Sequence, residues 1–113
     1  MPEKLFVLVR RDLPPAKRAV QACHAVAEFV QLYGFSSVWE KRVAAIDWVS
    51  KYKTLIILKA TEQELEFESV KLKSNVTLYA AFREPDMGNS ITAIAVLPND
   101  PSYFKRWELD DGK

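Results

Sequence analysis

The 113-residue sequence has one cysteine, one histidine and three glycines, and each scarcity removes a class of chemistry. Cys23 can close no disulfide within the chain and has no second cysteine with which to hold zinc, which fits a reducing compartment. Gly34, Gly88 and Gly112 lie too far apart for a phosphate loop or a dinucleotide fingerprint. His24, without an H-E-x-x-H pattern or a cysteine pair, offers no template for catalytic zinc, and no G-x-S-x-G elbow marks an activated serine. The longest apolar runs, LFVLV and LIIL, fall far short of the roughly 20 residues that span a membrane. The opening MPEKLFVLVRRD has no signal-peptide core, so a cytoplasmic location is expected.

What remains is ordinary globular composition, with 49% hydrophobic and 27% charged residues. It predicts one domain over residues 1–113, with a core at about 4–98 and a C-terminal extension at 99–113. The net charge of +1 conceals a split. Residues 1–60 hold ten Lys and Arg against five acids, and residues 61–113 hold six against ten. Such a split is compatible with one face that meets a polyanion and another that repels it.

Residues 4–10, KLFVLVR, read as a buried strand. Pro14 and Pro15 break it, and AKRAVQACHAVAEFVQLY then predicts a helix from Ala16 to about Tyr33, with Gly34 placed to stop it. Ala16, Val20, Cys23, Ala27 and Val30 share one helical face, and Ala19, Ala22, Val26, Phe29 and Tyr33 widen it. The helix is therefore expected to be buried over most of its girth, leaving one polar stripe of Lys17, Gln21, His24, Glu28 and Gln31. Ser37 with Glu40 suggests a capping box for a second helix reaching about Lys51. KTLIILK (53–59) predicts a second strand. Thr61 with Glu64 offers another capping box for a helix to about Ser74, although Leu65, Phe67, Val70 and Leu72 partly alternate as a strand would. The acids of that helix, Glu62, Glu64, Glu66 and Glu68, are expected to form mostly a solvated face. VTLYAAF (76–82) and ITAIAVL (91–97) read as strands joined in a hairpin by REPDMGNS. The tail after Pro98 is expected to fold back in part before its charged end frays. The class is α/β: a mixed four-stranded sheet with helices packed on both faces, in the order β-α-α-β-α-β-β.

The polar stripe is the candidate site. A lysine, a glutamine and a histidine in a row about 10 Å long can donate hydrogen bonds to an anionic or carbonyl-bearing ligand. The same pattern also suits a plain solvent-facing stripe, and spacing alone does not choose between them.

A strand, R-x-D-L, a short loop and then K-x-x-x-Q-x-x-H-A, carried by Arg10, Asp12, Leu13, Lys17, Gln21, His24 and Ala25, resemble the type-2 peptidyl-tRNA hydrolases. TLIILKATEQEL, VTLYAAFREPDMG and Thr92 in ITAIAVLP are similar to that family's later elements. The loop before the lysine reads PPA where the family usually has glycines, and the hairpin turn is shorter by about four residues, within the usual boundary error.

The resemblance implies hydrolysis of the ester joining a peptide to tRNA, with tRNA as the partner and no cofactor. It implies that Lys17 stabilises negative charge and that a hairpin acid orients water. Asp86 is favoured for that acid because it keeps the spacing to a glycine, while Glu84 lies closer to the strand end. Thr92 joins the same cluster. Ser90 stands in for a second threonine, and His24 orients its neighbours or moves protons, as an imidazole can. Asp12 holds Lys17 or caps the helix. Arg10, Arg11, Arg18 and Gln21 complete the substrate contacts, with Arg and Lys meeting phosphate. Two other readings stand beside this one: a non-catalytic RNA- or protein-binding relative, and a hydrolase of some other small ester or amide. Trp39, Trp48 and Trp107 exceed what a small core readily absorbs, and an exposed one would suit a homodimer interface.

Overall fold

A computed structural model describes residues 3–74 and 77–113. In chain order it comprises β1 (Lys4–Arg10), α1 (Pro15–Gly34), α2 (Trp39–Asp47) and a π-helical turn (Trp48–Tyr52). β2 (Thr54–Ala60), α3 (Glu62–Lys73), β3 (Leu78–Glu84) and β4 (Ser90–Leu97) follow, and then a 3-10 segment (Pro101–Arg106) and β5 (Glu108–Leu109). The expected start of the third strand at Val76 lies outside the described residues.

The strands form one mixed sheet in the order β3-β4-β1-β2-β5. β1 runs parallel to β2, while β4 pairs antiparallel with both β1 and β3. This corrects the expected four strands to five and adds a final strand to the element order. β5 pairs with β2 through Leu58↔Leu109 and Lys59↔Glu108. Two residues are too few to show alternation in sequence; they are a strand because β2 would otherwise leave an open edge.

Alternation sends the two faces of the sheet into two cores. Leu5, Val7 and Val9 of β1 meet Ala22, Ala25 and Phe29 of α1 with Ala45 of α2 and Trp48. Phe6 and Leu8 turn the other way, toward Leu65 and Leu72 of α3 and toward Phe104 and Trp107 of the tail. Phe29 is fully buried, and its truncation to alanine would cost about 3–5 kcal/mol.

α1 does not present the expected face. Arg18, Gln21, Ala22, Ala25 and Phe29 are buried, whereas Ala16, Val20, Cys23 and Ala27 are exposed. Small apolar residues all round a helix leave its rotation undecided, so the bulk of Phe29 and the ion pair of Arg18 choose it. α2 is not started by the Ser37–Glu40 box: its cap is Val38, which has no side-chain bond to give. The Thr61–Glu64 box does form, with Thr61 Oγ1 accepting from the Glu64 amide at 3.1 Å and Glu64 Oε1 from the Thr61 amide at 2.8 Å. The segment after Thr61 is helical, since Leu65 and Leu72 are buried while Phe67 and Val70 face out.

The acidic row of α3 is not simply solvated. Glu68 is 1% exposed and accepts hydrogen bonds from Tyr103 Oη and Arg106 Nη2, both at 2.8 Å, which pins the 3-10 segment to α3. At the outer edge of β3, Tyr33 Oη donates to the Tyr79 carbonyl at 2.6 Å and accepts from the Tyr79 amide at 3.2 Å. Burial raises the pKa of this phenol, so it remains a donor.

Candidate active site

The site forms where β1 ends. Pro14 precedes α1 and Pro15 opens it; the missing N–H of a proline is harmless in a first turn, whose amides have no helical acceptors. No side chain caps this end and no acid lies in its first turn. Lys17 and Arg18 therefore sit together at the positive end of the helix dipole, where each cation calls for an anion.

Arg18 has found one. It is 3% exposed, and its guanidinium grips both carboxylate oxygens of Asp110 at 3.0 Å while donating to the carbonyls of Leu13 and Lys113. Hydrogen bonding to Arg18 holds the Asp110 carboxyl below its ordinary range. Lys17 is exposed, and no hydrogen bond or ion pair holds its ammonium among the described residues.

One turn beyond Lys17, Gln21 is buried and faces the β3–β4 hairpin. Its Oε1 accepts a 2.6 Å hydrogen bond from Thr92 Oγ1, which orients the amide so that Nε2 points to Glu84 Oε2, 3.5 Å away at the outer limit of a hydrogen bond. Glu84 lies here because Leu78, Ala80 and Phe82 face α1 and a residue two further along β3 faces the same way.

Thr92 reaches Gln21 by a different device. Phe82 pairs with Ala93 but Arg83 pairs with Ile91, so the register skips Thr92. Ala93, Ala95 and Leu97 face α1, while Ile94 and Val96 face α3. Strict alternation would send Thr92 toward α3; the bulge turns it to Gln21 and gives Ile91 to the α3 side.

The other predicted residues divide by position. His24 continues the row beyond Gln21, stacked on Phe82 with ring centroids 4.5 Å apart. Asp86 is exposed in the short 3-10 turn Pro85–Met87 and makes no hydrogen bond or ion pair among the described residues. Ser90 Oγ closes that turn by donating to the Met87 carbonyl at 2.6 Å. Asp12 neither holds Lys17 nor caps α1; it takes a two-pronged contact from Arg10 Nε and Nη2 at 2.9 and 2.6 Å. That hydrogen bonding lowers the Asp12 carboxyl and raises the Arg10 guanidinium. Arg10, 8% exposed, also lies 3.8 Å from Glu62. Arg11 is half-exposed and pairs with Glu108 at 2.9 Å. Phe82 and Asp110 were not among the candidate site residues of the sequence reading. Phe82 was legible as the neighbour of Glu84 on one strand face, whereas nothing local links Asp110 to Arg18.

No group of three or more His, Cys, Asp and Glu is placed to hold a metal ion among the described residues. The chemistry on offer is an ammonium that no anion pairs among the described residues, one helical turn from an amide that a hydroxyl orients toward a hairpin carboxylate.

A strand-to-helix junction on a mixed sheet, facing a hairpin acid, defines a small α/β protein with its polar site at one end of the sheet. The family model described as Peptidyl-tRNA hydrolase PTH2 matches residues 3–108, nearly the whole chain, and the chain belongs to that family. No curated protein matches it.

Proposed function

We propose that this protein hydrolyses the ester bond of peptidyl-tRNA, or of a related N-blocked aminoacyl-tRNA. The observation that carries the proposal is the contrast at the start of α1: two adjacent cations at a positive helix end, of which Lys17 alone of the pair lacks an anion among the described residues. An ammonium left in this state is free to meet a substrate anion or the oxygen of a carbonyl under attack.

In the proposed reaction Glu84 orients a water and accepts its proton as the oxygen attacks the ester carbonyl. Lys17 stabilises the charge that develops on the carbonyl oxygen. Collapse breaks the bond to the ribose oxygen, which leaves with the proton that Glu84 took from the water, and yields a free peptide acid, tRNA with a restored hydroxyl and the regenerated Glu84 carboxylate. Gln21, held by Thr92, fixes the carboxylate of Glu84. Glu84 is given this role ahead of Asp86 because it is the acid that reaches the Gln21 amide. His24, flat against Phe82, borders the same row and positions what lies on it.

Release of an N-blocked amino acid from tRNA by the purified chain tests the reading. Turnover above buffer, lost in Lys17→Ala with an unchanged melting curve, supports it. Release no faster than buffer ends it and leaves a binding relative as the better account.

A further inference from the structure

The cations beside the site are already occupied, and by one short stretch of the chain's own end. Glu108 Oε1 lies 2.9 Å from Arg11 Nη1 and 3.7 Å from Lys59 Nζ, and Asp111 lies 3.8 Å from the same ammonium. Asp110 grips Arg18, and the Asp110 amide donates to the Ile57 carbonyl at 2.8 Å. The charge split along the sequence is thus partly cancelled in space: acids of residues 108–111 lie on cations of the basic half.

These pairs are of two kinds. The Arg18–Asp110 pair is almost wholly buried, with side chains 4% and 12% exposed. Arg11, Glu108 and Asp111 have side chains 44%, 58% and 53% exposed, and Lys59, at 12%, is the one covered member of these pairs. Pairs in contact with water contribute little to stability and exchange readily for another anion. A buried anchor thus holds in place a set of acids whose own pairs are cheap to break. Hydrogen bonding to Arg11 keeps the Glu108 carboxyl low, so it carries its charge at neutral pH.

We propose that residues Glu108–Lys113 act as an internal mimic of the RNA backbone: anchored by Asp110 on Arg18, the tail covers Arg11 and Lys59 with Glu108 and Asp111, and phosphates must displace those two acids to dock. The mask lowers affinity for RNA in general and leaves Lys17 open. It rests on the reading of tRNA as substrate.

The test is tRNA binding against salt by the intact chain and by Glu108→Gln/Asp111→Asn, which keeps the Arg18 anchor and the β5 backbone. Unmasking two cations is expected to tighten binding on the order of tenfold at 50 mM salt. It should also steepen the log–log salt slope by between about one and two units. Adding Arg11→Gln/Lys59→Gln to the unmasked chain should abolish the gain, while the same pair in the parent should cost far less. An unmasked variant with an unchanged melting curve, parental affinity and parental salt slope overturns the mask. If that happens while the parent still releases N-blocked amino acids from tRNA, the mask fails alone; if neither chain binds or hydrolyses tRNA, both proposals fail.

Discussion

Lys17 and Arg18 are neighbours in sequence, stand at the same end of the same helix and carry the same charge. They differ by the 100° that separates consecutive helical side chains. That rotation turns Arg18 into the protein, where Asp110 and two carbonyls satisfy it, and leaves Lys17 at the surface beside Gln21. One cation is used up in holding the tail; the other is kept available. The same division separates Asp12, taken by Arg10, from Glu84, which meets a neutral amide. On the proposed reading, the groups neutralised inside the fold serve architecture, while Lys17 and Glu84 serve the reaction.

The sharpest way to break this comparison is Lys17→Ala. Release from N-blocked aminoacyl-tRNA should fall about 10²- to 10³-fold, with a melting midpoint close to the parent's because the side chain is exposed. Glu84→Gln should slow release about 10²-fold, with a smaller loss for Asp86→Asn; the reverse order in single-turnover assays would transfer the water-orienting role to Asp86. Thr92→Val removes one hydrogen bond to Gln21, worth about 1 kcal/mol, and should cost about tenfold in rate if it frees the amide to turn.

The smallest effect is on stability. Asp110 has a lowered pKa in the folded chain, so its contribution is present above the ordinary aspartate range near pH 4 and is lost as pH falls through the depressed value. Melting midpoints taken from pH 7 to pH 2 should drop on the acid side, and Asp110→Asn should flatten that drop while starting from a lower midpoint.

Much of this was legible in local pattern. KLFVLVR and ITAIAVL alternate or run apolar over strand length, the Thr61–Glu64 box starts a helix, and Pro85, Gly88 and Asn89 make the turn, with Gly88 and Asn89 both at positive φ. The row Lys17-Gln21-His24 follows from helical spacing. What stayed hidden depends on contacts between distant segments. The rotation of α1 is set partly by an acid 92 residues away, β5 exists because β2 has an edge to fill, and Thr92 faces Gln21 because a bulge defeats the alternation that sequence reading relies on. Trp48 and Trp107 are buried while Trp39 is 70% exposed, a distinction that composition cannot draw.

The hydroxyl of Tyr33 has a bearing on how this molecule meets its own copies. A sheet margin normally invites a newcomer to zip along it through alternating amides and carbonyls. At the second residue of β3 both backbone groups of Tyr79 are already satisfied by that single phenol, and on the opposite margin β5 spans only two residues. Pairing by a newcomer is thereby obstructed where it would begin on β3 and shortened on the opposite margin, whereas Trp39 stands 70% exposed at the start of α2.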